Sequence, residues 1–330
     1  MDAGTERECI EAAVAALRRG ELVGLPTETV YGLAADAGNA EAVRKVFALK
    51  GRPADHPLIV HVAGVDALAT WSRGEDPRAR NLAKAFWPGP LTLVLPRAPQ
   101  VLDLVTGGQD SIGLRCPNHP LALALLRAFG GGLAAPSANR FGRISPTTAA
   151  HVREEFPEGL ALVLDGGDCE IGLESTIIDL TAEPARLLRP GRISVAQVEA
   201  LIGPLAEAGF VDAPRASGTL EAHYAPGTPM LLLPREALAE ESRRQAAFGK
   251  VALLLARGSL PEATRGLALP ADAAGFGHGL YAALRSLDAL GANLLLVERP
   301  PDGPDWAAAN DRLRRSAAGA GVDAGADAGT

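Results

Sequence analysis

Apolar residues recur along the chain at three- and four-residue spacing in some stretches. In others they run unbroken for a few residues, so helices alternate with buried strands. Ile10, Val14 and Leu17 share one face of a helix predicted over residues 6–19 and stopped by Gly20. Leu22-Val23-Gly24-Leu25 reads as a buried strand running into Pro26-Thr27-Glu28-Thr29-Val30-Tyr31-Gly32-Leu33, three hydroxyls and a carboxylate at a strand end. Val43, Val46, Phe47 and Lys50 predict a helix over 40–49, and 57–62 a strand that contains His61. Helices are predicted over 66–71 and 78–86, then a Trp87-Pro88-Gly89-Pro90 corner and a strand over 91–95. Strand 111–115 closes on Arg115, and helix 120–129 breaks at the glycines 130–132. Strand 133–135 ends in Pro136-Ser137-Ala138-Asn139, and Ser145-Pro146 caps a helix predicted over 147–156. Strand 160–164, Glu174-Ser175-Thr176 at the start of another strand, Leu188-Arg189-Pro190-Gly191 at a strand end and a helix capped by Ser194 complete residues 1–203.

The pattern weakens over 204–229 into Ala, Pro and Gly, the composition of a linker, yet this stretch holds Ser217-Gly218 and His223-Tyr224-Ala225-Pro226. Alternation then resumes. Strands are predicted over 230–233, 251–256 and 293–297, with helices over 235–248, 279–290 and 306–317, a small open α/β domain. Residues 318–330 are a Gly/Ala/Asp tail expected to be disordered.

Composition narrows the function. The net charge is −7, and residues 1–203 carry 20 basic against 24 acidic side chains, 204–330 carry 12 against 15. Neither part has the basic balance of a non-specific nucleic-acid binder, so an anion site has to be a local cluster. Cys9, Cys116 and Cys169 are scattered, with no Cys-x-x-Cys pair, which argues against a disulfide framework or a cysteine zinc site. The start of the chain lacks a signal-peptide core and no apolar run reaches spanning length, so a cytoplasmic protein that does not bind membranes is expected.

Against that acidic background, Lys50-Gly51-Arg52-Pro53 stands out. Only four of the 32 basic residues are lysines, and here one sits two residues from an arginine on a bend fixed by Gly and Pro. Two cations on one rigid turn suit a polyanion; the alternative is a solvated helix end complementing its dipole. Arg115 at a buried strand end requires an anion, either a protein carboxylate or a ligand. His61 within an apolar strand is a ligand contact or a satisfied core histidine. No Walker, Gly-x-Gly-x-x-Gly or Ser-His-Asp signature and no metal-ligand cluster occurs. Cations and hydroxyls at strand ends (Thr29, Lys50, Arg52, His61, Arg115, Ser137, Asn139, Ser175, Arg189) indicate a nucleotide-handling enzyme without naming its substrate.

Pro26–Leu33, Lys50-Gly51-Arg52-Pro53, Pro136-Ser137-Ala138-Asn139, Glu174-Ser175-Thr176 and Leu188-Arg189-Pro190-Gly191, in that order, resemble the YrdC-like L-threonylcarbamoyladenylate synthases over about residues 6–203. His223-Tyr224-Ala225-Pro226 and the second domain resemble the long form of that family. The resemblance implies a YrdC-like twisted mixed sheet with a concave ligand face, followed by a small Rossmann-like domain. It implies a synthase that makes L-threonylcarbamoyl-AMP and pyrophosphate from L-threonine, bicarbonate and ATP. The product would go to a transferase complex that modifies adenosine in tRNAs reading ANN codons. By motif, Lys50, Arg52, Ser137 and Asn139 would carry the chemistry. His56, Ser111, Ala135, Ser145, Arg189 and Tyr224 would complete the ATP site. Thr29, His61, Arg115, Ser137 and Ser175 would hold threonine. An aromatic pair is out of place in a passive spacer, so His223 and Tyr224 are expected to act as a lid, the alternative being an inter-domain staple. Mg²⁺ would arrive with ATP, and tRNA binding would be weak or absent. Two departures bear on the ATP pocket: His56 stands where Asn is common and Phe141 where a small polar residue is common. Thr219-Leu220-Glu221-Ala222 lacks the basic residues many relatives place before the His-Tyr motif. A double-stranded-RNA or tRNA-binding module without catalysis is the rival reading. The related hydrogenase-maturation proteins are set aside because they carry cysteine-rich zinc modules.

Overall fold

The computed structural model describes residues 3–206 and 212–321. The disordered tail expected over 318–330 falls mostly outside the described residues, as do residues 207–211 of the linker. The chain forms two compact units, Met1–Phe141 with Ser145–Thr219, and Gly142–Ile144 with Leu220–Thr330.

The first unit carries, in chain order, α1 (Ala3–Arg18), β1 (Val23–Leu25), β2 (Gly32–Asp36), α2 (Ala40–Lys50), β3 (Ile59–His61), α3 (Leu68–Trp71), α4 (Pro77–Phe86), β4 (Leu91–Pro96) and α5 (Asp103–Thr106). After these come β5 (Ser111–Arg115), α6 (Pro120–Phe129), β6 (Leu133–Ala134), α7 (Ala149–Glu155), β7 (Leu162–Val163), β8 (Thr176–Asp179), β9 (Arg186–Arg189) and α8 (Val195–Ile202). Its nine strands form one mixed sheet in the order β7-β1-β2-β6-β3-β5-β4-β8-β9.

Alternation decides which face of this sheet is covered. Leu33, Val60, Leu91, Leu93, Leu95, Ile112, Leu114 and Ile178 point into one core, packed with Val43, Val46 and Phe47 of α2, Leu82 of α4 and Val152 of α7. On the opposite face α1 and α6 cover β1, β2 and β6 through Leu17, Leu121, Leu125 and Ala34. Beyond that cover the same face passes to Ile59, His61, Thr92, Val94, Ser111, Gly113, Arg115 and Ile177, the alternate positions of β3, β4, β5 and β8. Ala216 packs on it against Val94 and Ile177, a piece of linker where a helix would otherwise lie.

In the second unit β10 (Met230–Leu233), β11 (Ala252–Arg257), β12 (Gly266–Leu269) and β13 (Leu294–Glu298) form an all-parallel sheet in the order β10-β13-β11-β12. Helices α9 (Arg235–Ala247), α10 (Ala273–Asp288) and α11 (Ala307–Gly319) connect and cover it. The Asp288 carboxylate accepts hydrogen bonds from the amides of Gly227 and Thr228, at 2.8 and 2.7 Å, and from Arg143. No described helix is long and apolar enough to cross a membrane.

Candidate functional site

The segment between β1 and β2 is shaped by Thr27. Its hydroxyl donates to the Val30 carbonyl (2.6 Å) and accepts from the Thr29 and Val30 amides. The Thr27 and Thr29 hydroxyls share a 2.9 Å hydrogen bond in which either oxygen can be the donor. Glu28, in the same turn, is 3% exposed.

Helix α2 begins at an Asn39 cap and ends at Gly51, whose φ of +64° closes the last turn and sends Lys50 inward. Lys50 is 3% exposed, and its ammonium donates to the Ser137 and Asn139 carbonyls. Burial and then the nearby Arg52 hold its pKa well below the usual lysine value. The lysine of the Lys50-Gly51-Arg52-Pro53 turn therefore braces the exit of β6, where Ala135, Ser137 and Asn139 lie. Arg52 donates to the Pro57 carbonyl at 2.9 Å, reaches the Ser217 hydroxyl at 3.4 Å and lies 5.8 Å from the centre of the Phe141 ring. His56 meets the same ring edge-on. Ser145 donates to Glu174 at 2.7 Å.

Arg189, at the end of β9, donates to the Ser175 carbonyl and hydroxyl (3.0 and 3.1 Å) and to the Ser217 carbonyl (2.8 Å). Ser175 also shares a 2.7 Å hydrogen bond with Thr92. Arg52 and Arg189 thus converge on one linker residue, Ser217. The linker is held there by further bonds. The Gln109 side chain accepts from the Arg215 amide (2.7 Å) and donates to its carbonyl (3.2 Å), and Arg215 donates to the Gly107 carbonyl. Beneath this strap lies a partly open cleft lined by Ile59, Thr92, Val94, Ser111, Gly113 and Ile177 and closed by Arg215–Ser217.

His61 and Arg115 sit side by side across the β3–β5 pairing. Burial, and then the Arg115 charge, push the His61 imidazole down to about 3, so it is neutral near pH 7. Arg115 meets a protein carboxylate: its terminal nitrogen is 2.8 Å from Glu28, both side chains being buried. His223 and Tyr224 belong to the second unit. There Tyr224 is 1% exposed, holds φ +62° and packs on His223, Tyr281 and the Arg312 guanidinium. A bulky side chain in that left-handed region is strained, of order 1–2 kcal/mol.

The structure therefore brings Lys50, Ser137 and Asn139 into one group, Arg52, Arg189 and Ser175 into a second, and His61 with Arg115 into a third. All three lie in the first unit. Glu28, Gln109, Thr92 and Ser217 also face this region, and single-residue reading did not assign them roles. The carboxylate in Thr27-Glu28-Thr29 and the Ser-Gly pair in the linker were the available signals.

The sequence profile of a family described as telomere recombination (Sua5/YciO/YrdC) matches residues 15–191. A second profile, described as the threonylcarbamoyl-AMP synthase C-terminal domain, matches residues 193–318. The chain belongs to the threonylcarbamoyl-AMP synthase family. A threonylcarbamoyl-AMP synthase of Pyrococcus abyssi is 39% identical over 318 residues, covering 93% of each chain. One of Bacillus subtilis is 39% identical over 322 residues, 94% of this chain and 93% of the other. The crystal structure of P. abyssi Sua5 complexed with L-threonine superposes with a TM-score of 0.89 at 38% identity, covering 94% of both chains. Membership of this family accounts for the mixed sheet followed by a parallel one, and for the strand-end motifs occurring in a fixed order.

Proposed function

We propose that this chain condenses L-threonine, bicarbonate and ATP into L-threonylcarbamoyl-AMP, releasing pyrophosphate. The observation that supports this most is the half of the sheet face that the Arg215–Ser217 strap covers instead of a helix. It carries an Arg115–His61 pair suited to an amino acid beside a cleft flanked by Arg52 and Arg189, which suits a nucleotide. Threonine's amine, after giving up the extra proton of its ammonium form, attacks the bicarbonate carbon; a C–O bond of bicarbonate breaks, water leaves and a carbamate results. A carbamate oxygen then forms a bond to the α-phosphorus as the bond to the bridging oxygen breaks and pyrophosphate leaves. Arg52 and Arg189 stabilise the phosphate charge, and Ser137 and Asn139 face the reacting phosphate on a backbone fixed by Lys50. Ser111, His56, Ala135 and Ser145 complete the nucleotide site, with Thr29 and Ser175 beside the amino acid. Mg²⁺ enters as part of MgATP, and since no cluster of His, Cys, Asp or Glu able to hold a metal occurs among the described residues, it would be bound through phosphate oxygens and water. The product passes in the cytoplasm to a transferase complex that modifies tRNA.

Pyrophosphate release tests this reading. It should require L-threonine and bicarbonate together, and L-serine should be the poorer substrate, a missing methyl being worth about 1–3 kcal/mol. Release that is indifferent to threonine would contradict the proposal.

A further inference from the structure

Glu28 is a buried carboxylate neither of whose oxygens accepts a hydrogen bond. Its partner Arg115 is 2.8 Å away, yet the Nε of Arg115 and the terminal nitrogen nearest Glu28 are also without hydrogen bonds. The pair is held by charge alone, off the axes of the N–H bonds. A pair built only for structure saturates its lone pairs, commonly by a two-pronged guanidinium–carboxylate contact. The neighbours do not supply the missing partners. Burial raises the Cys116 and Cys169 thiols to about 11 and 12, and His119 is held below its ordinary value chiefly by burial. With His61 neutral as well, this corner of the first unit contains one positive and one negative group, both with unused bonding capacity.

We propose that Glu28 receives the α-ammonium group of the amino-acid substrate while Arg115 receives its carboxylate. This rests on the reading of the Arg115 region as the threonine pocket. A zwitterion is the ligand that adds one charge of each sign and lets both buried groups complete their hydrogen bonds. Were Arg115 to turn to a ligand carboxylate alone, Glu28 would be left as an uncompensated buried anion, a state proteins avoid. Recognition of the two charges is therefore coupled. The Thr29 hydroxyl, next to Glu28 in the same turn, offers the ammonium a second oxygen.

The test is calorimetric titration of the full-length protein with L-threonine and with the 2,3-dihydroxybutanoate of the same configuration, in which a hydroxyl replaces the ammonium. The wild-type chain should prefer threonine by about 100-fold or more, since a buried group built for one partner rejects its analogue strongly. Glu28→Gln should reduce that preference below about 10-fold by weakening threonine, with the analogue bound as before or more tightly. Glu28→Asp, which keeps the charge beside Arg115 but withdraws it by one methylene, should fall between. Thermal melts of each variant report folding. Wild-type binding of threonine with an unchanged preference in Glu28→Gln would overturn the assignment. So would loss of both ligands in equal proportion, the signature of a structural role. If Glu28→Gln does not fold, an unchanged preference in Glu28→Asp overturns it. A wild-type chain that binds neither ligand contradicts the threonine reading itself, a result distinct from these.

Discussion

His61 shows how far one side chain's surroundings decide its chemistry. As a letter in an apolar strand it could be a ligand contact or core. In the structure it is buried beside a guanidinium and its pKa is pushed down to about 3, so it is neutral and unable to share the charge of Arg115. The unfolded chain takes up this proton near pH 6.5, and the folded chain refuses it until about pH 3. The site's contribution to stability is present above pH 6.5 and is lost as the pH falls toward 3. Between pH 7 and pH 5 the unfolding free energy should drop by about 2 kcal/mol from this residue alone. Denaturant titrations at both pH values, repeated on His61→Gln, check it: the variant should lose that part of the slope. Lys50 is a case where geometry adds to the letter. The sequence marks it as a cation for phosphate, and the structure sends its ammonium to two backbone carbonyls. Burial at a helix end is visible only once Gly51 is known to close the turn inward.

At the level of elements, the strongly periodic segments were legible. Helix α2, helix α4, strand β4 and strand β5 lie where the apolar spacing puts them. Others were not, for physical reasons. The apolar pattern predicts helix α10 only from Gly279, whereas it begins at Ala273 behind an Asp272 cap, because Gly275, Gly277 and Gly279 interrupt the apolar pattern without interrupting the backbone. Strand β12, with half of its positions exposed, pairs only with β11 and shows no alternation to detect. Helix α7 is capped by Thr148 rather than by Ser145, whose hydroxyl is committed to Glu174. The linker strap is the largest surprise. Composition says spacer, whereas Arg215–Ser217 is a wall of the cleft, since Gln109 reproduces for Arg215 the paired bonds of a neighbouring strand. Gln109→Ala removes them, at a cost of about 1–3 kcal/mol to the strap. Cleavage by trypsin after Arg215 should accelerate several-fold, and the KM for ATP should rise more than that for threonine. Equal proteolysis in variant and parent would show that the strap is held elsewhere.

At the level of the whole molecule, the first unit extends to Thr219, so ending the chain at Gly203 removes a wall of the cleft and ending it at Thr219 keeps it. The short segment Gly142–Ile144, between Asn139 and Ser145 in sequence, belongs with the second unit through the Arg143–Ala225 bridge and the contact of Arg285 with the Ile144 carbonyl. No local pattern announces this, because the partners are more than eighty residues away in sequence. The fold class was legible from alternation, and the family from the order of five motifs. The pairing of Arg115 with Glu28 and the strap on Arg52 and Arg189 were not, since each depends on which strands become neighbours. The account as a whole claims that these groups build one acyl-adenylate from three substrates. Its most direct test is mass spectrometry of the nucleotides formed when the full-length chain is given ATP, L-threonine and carbon-13 bicarbonate. The account predicts threonylcarbamoyl-AMP carrying one labelled carbon, absent when threonine is omitted. AMP or ADP formed without a labelled adenylate, or an adenylate without the label, would contradict it.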